Sequence, residues 1–349
     1  MNQINEYKEF FEGDKYLSYN ESKYVTHFNQ YLATIDLLSN TVKLISKADL
    51  NTKTKEKSDI KPTTLNLIRF DYSPITLPQF CRWINMKTRL VICGGIELIK
   101  ESNSRDSKDS KTETLKDIFY IKYDEEVTGM ENNILLRNKE EYEKLKDNTT
   151  VRIARELPNM LYGRDQHSMI VIEDYYLICC GGYHTETCEM FNFITNKWES
   201  LPSLGEKKFN GSLFLYNQSE LYYFFGLVAK ENNDYSYTSK IEKVTLFQPY
   251  TTLFWENIKI VTKIELESCL TCLISVKKDS VLIMGGKQSR KKYVHDYQFN
   301  FSNRILTQQE SSPLKKRLCF LESNFIKVGD FDYALYSTDL SLVKLFSFK

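Results

Sequence analysis

The sequence predicts an all-β protein in which one four-stranded antiparallel unit is repeated along the chain. Three observations carry this reading. Short runs rich in β-branched, aromatic and cysteine residues recur, such as Ile170-Val171-Ile172 and Tyr176 to Cys180, the composition of strands covered on both faces. Glycines follow such runs, often in pairs. The glycines at Gly181, Gly226, Gly285 and Gly329 are about 45, 59 and 44 residues apart, near the ~40–50 residues of a propeller repeat. A sheet that is apolar on both faces cannot bury them alone, so one such unit requires neighbours.

Taken in order, the first unit spans about 16–77 and is built from Lys23 to Phe28, Tyr31 to Leu38 and either Val42 to Ile45 or Leu65 to Leu77. It lacks a glycine pair and a Trp, and the stretch from Ala48 to Thr63 interrupts it. In the second unit Arg89-Leu-Val-Ile runs into Cys93-Gly94-Gly95. A polar run from Glu101 to Thr112 follows and is expected to be a mobile loop. The stretch 124–150 reads as an insertion, helical over 133–147, with Ile134, Leu135, Tyr142 and Leu145 set among glutamates.

The third unit, Arg164 to Leu201, is the most complete. Two inner strands end at Gly181-Gly182, Glu189 to Phe193 alternates polar and apolar as a strand nearer the rim should, and Trp198 offers a large surface for packing between sheets. In the fourth unit Leu221-Tyr-Tyr-Phe precedes Phe225-Gly226, where Leu227 replaces the second glycine, and Trp255 follows. In the fifth, Ser280-Val-Leu-Ile precedes Met284-Gly285-Gly286, and Phe299-Asn-Phe301 precedes Leu306 as Phe191-Asn-Phe193 precedes Trp198. The sixth reads Phe325-Ile-Lys-Val328-Gly329, with Asp330 as the second residue of the pair. Leu157-Pro158 and Leu201-Pro202 are expected to end equivalent outer strands.

The glycine pair, the aromatic strand after it, the Trp and the Arg164-x-x-His167-Ser168 opening resemble the kelch repeat, from about Leu77 onward. The resemblance implies a single domain over 1–349, a kelch-type β-propeller of six four-stranded blades. It also implies a protein-binding scaffold or adaptor, a subunit of a larger assembly. The residues before the first unit are too few for a BTB or F-box module, so a stand-alone subunit is expected. Some kelch-type propellers are enzymes, among them copper radical oxidases and sugar epimerases, and a propeller enzyme is the alternative function.

The residues themselves argue against catalysis. The chain has four histidines, and no nucleophile elbow or phosphate-cradling glycine loop is legible. Of the eight cysteines, Cys93, Cys179, Cys180 and Cys269 fall in or beside apolar strands, where a free thiol is readily buried. Cys269-x-x-Cys272 is the one pair with metal-like spacing, and His184 with Cys188 is the sole neighbouring His/Cys pair, more often an incidental loop pairing than a site. Residues three apart on a strand point to opposite faces, so no metal and no cofactor is expected. With no apolar run near 18 residues and no signal-peptide core near Met1, an intracellular, cytoplasmic protein with reduced thiols is expected.

The loops indicate where a partner would bind. In an antiparallel four-stranded unit the second-to-third loop and the connection to the next unit emerge on one face. Arg290, Lys291 and Lys292 fall in such a loop, and Lys207, Lys208, Lys315, Lys316 and Arg317 in such connections. Clustered cations of this kind suit an acidic protein segment. The insertion carrying Leu135, Tyr142 and Leu145 belongs to the opposite face and is the alternative contact. A formal net charge of +1, with aromatics in strands rather than among basic loops, disfavours nucleic acid.

Overall fold

The computed structural model describes strands at 23–28, 31–36, 41–46 and 63–66, residues 80–86, 89–99, 111–116, 118–123, 151–154, 157–230, 234–246, 254–264, 266–288 and 295–309, and strands at 325–327, 332–336 and 343–347. Every regular element among them is a strand. The insertion at 133–147, Gly329 and the basic residues at 290–292 and 315–317 lie outside the described residues.

The first sheet is an antiparallel meander of β1 (Lys23–Phe28), β2 (Tyr31–Asp36), β3 (Thr41–Ser46) and β4 (Thr63–Asn66). Val42 to Ile45 thus falls within β3, while β4 meets the alternative closing strand, Leu65 to Leu77, only at Leu65 and Asn66, and residues 67–77 lie outside the described residues. The second sheet takes β5 (Arg82–Asn85) and β6 (Arg89–Cys93), leaves for a hairpin of β7 (Ile96–Ile99) and β8 (Lys111–Thr114), and returns through β9 (Ile118–Tyr123) and β10 (Val151–Ala154). The polar run after Glu101 thus ends in a strand, since Lys111 and Thr112 open β8. Leu157-Pro158 lies beyond the end of β10, not at it.

The third sheet is the meander β11 (Ser168–Ile172), β12 (Tyr176–Cys180), β13 (Cys188–Asn192) and β14 (Lys197–Leu201). The fourth joins β16 (Ser212–Tyr216), β17 (Glu220–Phe224), β20 (Ile241–Thr245) and β21 (Glu256–Asn257). A small sheet of β15 (Lys208–Phe209), β18 (Leu227–Ala229) and β19 (Tyr235–Tyr237) stands beside it. In the fifth, β22 (Ser268–Cys269) pairs with β25 (Lys287–Gln288), while β23 (Cys272–Lys277), β24 (Ser280–Met284), β26 (Tyr297–Asn300) and β27 (Ile305–Gln308) make the main sheet. The chain closes with the three-stranded meander β28 (Phe325–Lys327), β29 (Asp332–Tyr336) and β30 (Val343–Ser347).

Strand periodicity explains why the units need one another. Successive side chains of a strand point to opposite faces, and on β12 Leu177 and Cys179 enter the core shared with the second sheet, while Ile178 and Cys180 enter the core shared with the fourth. β17 repeats the pattern: Leu221 and Tyr223 face the third sheet, Tyr222 and Phe224 the fifth. Each aromatic or aliphatic side chain buried this way contributes roughly 1.5–3 kcal/mol, and none could be buried by its own sheet. The first strands of consecutive sheets are neighbours, β1 to β5, β5 to β11, β11 to β16 and β16 to β23.

Two sets of backbone hydrogen bonds stitch the sheets together at the same places each time. The residue two before the first strand of the second, third, fourth and fifth sheets has a positive φ: Phe80 (59°), Gln166 (52°), Asn210 (54°) and Leu270 (54°). Each passes a hydrogen bond to the previous one, Gln166 N to Phe80 O (3.1 Å), Asn210 N to Gln166 O (2.9 Å) and Leu270 N to Asn210 O (2.8 Å). The second bond joins the residue after the positive-φ turn of one sheet to the next connection: Gly95 N to Arg164 O, Gly182 N to Lys208 O and Gly226 N to Ser268 O, each 2.8 Å. Gly226 is therefore the second glycine of its pair. Phe225, with φ 56°, replaces the first, which corrects the expectation that Leu227 replaced the second. Gly285 (φ 64°) and Gly286 (φ 82°) stand at the same two positions in the fifth sheet.

The Trp residues also repeat. Trp198 pairs across the sheet with Phe191, as Leu306 does with Phe299. The Trp198 indole N–H donates to Pro158 O and that of Trp255 to Pro202 O, both at 2.8 Å. Trp255 is 8% exposed and belongs to the core between the third and fourth sheets. Trp198, at the rim, is only partly buried, less than a side chain clamped between sheets was expected to be.

Candidate functional site on the connection face

Hydrogen bonds between loops show that second-to-third segments and sheet-to-sheet connections share one face, here called the connection face. Met160 N donates to Lys116 O, Tyr183 N to Asp165 O, Leu204 N to Glu186 O and Ala229 N to Lys207 O. The second-to-third segments are not bare loops there. Phe209, Leu227, Leu270 and Tyr183 form a separate apolar cluster, with Tyr235 and Tyr237 against it.

Of the eight basic residues expected on this face, Lys207 is exposed. Lys208 is not: it is fully buried, ion-paired with Glu242, and has Glu206 at 3.7 Å. The sequence signal that would have flagged it is its register. Lys208 stands four residues before the first strand residue Ser212, as Arg164 stands four before Ser168, and Glu242 and Glu189 occupy matching places on β20 and β13. Arg164 makes the equivalent buried pair with Glu189, at 2.5 Å, and donates from Nη1 to Gly181 O and Thr187 O, both 2.9 Å. In the fifth sheet the cation and the carboxylate are lost together, with Ser268 and Tyr297 in their places, both buried. These ions hold connections to sheets; a cation so buried cannot greet a partner.

A second polar group lies at the starts of the first strands. Arg82 donates from Nε to His167 O (3.0 Å) and from Nη2 to Asn210 Oδ1. Asn210 Nδ2 donates to Gln166 Oε1 (2.9 Å), and Gln166 Nε2 to Asp165 Oδ2 (3.2 Å). Asp165 is 1% exposed, and its Oδ1 has no hydrogen-bond partner. Burial pushes its carboxyl above the usual carboxylate range, against the pull of His184 and Arg82.

A sulfur and imidazole cluster lies between the second and third sheets. His167 Nε2 is 3.4 Å from Cys93 Sγ, and Cys179 Sγ is 3.9 Å from it. All are buried. A thiol beside an imidazole is the arrangement of a cysteine nucleophile, but here burial pushes the Cys93 thiol up, with the Cys179 sulfur adding to it. Burial, helped by Arg164 and Arg82, pushes the His167 imidazole down. Both groups stay neutral, so no thiolate is generated. The sequence spacing pointed instead to His184 with Cys188 and to Cys269 with Cys272. His184 is exposed whereas Cys188 is buried, and Cys269 and Cys272 fall on strands of different sheets.

Around these buried groups the connection face exposes Leu161 (40%) and Tyr162 (41%), with Lys116, His184, Lys207 and Lys240 also exposed. No family model matches the chain, and no curated protein matches it. No helix among the described residues is long and apolar enough to cross a membrane.

Proposed function

We propose that the chain is a kelch-type β-propeller that acts as a docking platform, with the connection face receiving an acidic segment of a protein partner. The six successive antiparallel sheets are its blades. The observation that supports this reading is the pair of inter-sheet backbone bonds repeated at the same register, which gives the second to fifth sheets the same relation each to the next, the relation that successive blades of a ring require. Function is drawn from the face rather than from the fold. Leu161 and Tyr162 are exposed apolar groups, and Lys116, Lys207 and Lys240, the last ion-paired with Glu206, are exposed cations of the same face, the kinds of apolar anchor and charged rim that protein interfaces use. Arg290, Lys291, Lys292, Lys315, Lys316 and Arg317, expected on this face from the sequence, lie outside the described residues.

The test is quantitative affinity capture with mass spectrometry, comparing wild type with two variants. Leu161→Ser/Tyr162→Ser/Lys207→Glu alters the connection face. Tyr175→Ser/Ile194→Ser alters the first-to-second and third-to-fourth turns, where both residues are exposed. Loss of a specific partner from the first variant alone supports the reading. Loss from the second alone moves the docking site to the opposite face.

A further inference from the structure

We propose that Cys93, His167 and Cys179, completed by the Met169 thioether, form a buried site for one monovalent copper ion between the second and third sheets. This does not depend on the docking function. The four residues come from separate places: Cys93 ends β6, His167 precedes β11, Met169 lies on β11 and Cys179 on β12. The fold assembles them because the first strand of the third sheet packs beside the second sheet, and because Cys179 points to that side of β12.

The separations from Cys93 Sγ to Cys179 Sγ and to His167 Nε2 are close to those of ligands around one ion, and the remaining ligand separations adjust on binding. Two sulfurs each about 2.3 Å from a common centre, at tetrahedral to trigonal angles, stand about 3.7–4.0 Å apart, and a sulfur and a nitrogen at about 2.3 and 2.0 Å stand about 3.5–3.7 Å apart. Cys93 Sγ is 3.9 Å from Cys179 Sγ and 3.4 Å from His167 Nε2. The Met169 Sδ is 3.4 Å from Cys93 Sγ. The two thiol sulfurs and the imidazole nitrogen all lie within 4.8 Å of one another.

Ligand type selects the metal. Two thiols, one imidazole and a thioether are a soft set, which favours monovalent copper, while a thioether adds little for zinc. Each ligand residue is at most 2% exposed, so the site offers no water to a metal that needs an open position. Binding is a proton exchange without redox change: two thiols release their protons to the bulk buffer, both sulfurs bond to the ion, and the imidazole and thioether donate lone pairs. The bound site carries one net negative charge, in the field of the nearby Arg164 cation. His167 Nδ1, buried without a hydrogen-bond partner, is the nitrogen that would carry the ring proton when Nε2 is taken by the ion.

The experiment is an anaerobic titration of the full, folded chain with monovalent copper in competition with bicinchoninate, under thiol-reducing conditions. One equivalent held against the chelator is expected. Cys93→Ser/Cys179→Ser should abolish it, Met169→Leu should weaken it by tenfold or more, and Cys269→Ser/Cys272→Ser should leave it unchanged. Should the Cys93→Ser/Cys179→Ser chain fail to fold by circular dichroism, X-ray absorption on the loaded wild type decides: sulfur together with imidazole scattering is expected. Copper binding that persists in the folded Cys93→Ser/Cys179→Ser chain overturns the proposal. So does displacement of copper by equimolar zinc, an absorption spectrum without imidazole, or failure of the wild type to hold copper against the chelator.

Discussion

Lys208 shows how far a residue's role departs from its charge. On a surface, its replacement would be nearly neutral, since exposed ions contribute about 0–1 kcal/mol. Buried against Glu242 it behaves differently: Lys208→Ala strands a carboxylate that is 5% exposed and should cost about 3–5 kcal/mol in urea denaturation. Lys208→Met with Glu242→Leu should recover much of that loss, because it removes both charges at once. Lys207→Glu, next door and exposed, should leave the denaturation midpoint within error of wild type. The two Trp residues divide in the same way. Trp255→Ala should cost about 3–5 kcal/mol through the cavity it leaves between sheets. Trp198→Ala, at the partly buried rim, should cost clearly less in the same measurement.

At the scale of elements, the turn after each second strand decides whether neighbouring sheets can approach. A Cβ on Gly181 would lie 2.3 Å from Lys208 O, and one on Gly94 2.2 Å from Arg164 O, with φ of +67° and +65°. Both carbonyls belong to residues whose backbones bind the following glycine, so neither can retreat without breaking an inter-sheet bond. Gly181→Ala should therefore destabilise by more than about 2 kcal/mol, beyond the ~1–2 kcal/mol of left-handed strain alone. This is measurable as a fall in the urea midpoint. Phe225 occupies the same position in the fourth sheet at φ 56° and is fully buried, so there the penalty is offset by aromatic burial.

That substitution also explains what the sequence disclosed and what it hid. Strand position was legible because period-two apolar runs such as Tyr176 to Cys180 must face two cores. The register of the fourth unit was not, because Phe225 removes the glycine that marks the turn and leaves Gly226 as an ambiguous partner. The Arg164–Glu189 and Lys208–Glu242 pairs bridge 25 and 34 residues, and residue type alone does not tell a buried cation from a solvated one. Cys93 and His167, 74 residues apart, share no sequence spacing that chemistry would recognise; only the packing of two sheets brings them together.

At the scale of the whole molecule, the bonds from Phe80 through Gln166 and Asn210 to Leu270 repeat one contact across the second to fifth sheets, and the proposed propeller requires that the same relation continue until the sheets close into a ring. The measurement that tests it most directly is a spin-label distance between position 43 in β3 of the first sheet and position 344 in β30 of the last, by double electron–electron resonance. Labels introduced as non-natural residues spare the native thiols. In a closed ring those sheets are neighbours, and the distribution should centre below about 30 Å. Six sheets stacked about 10 Å apart in an open row would separate them by about 50 Å, and a distribution centred there would contradict the ring.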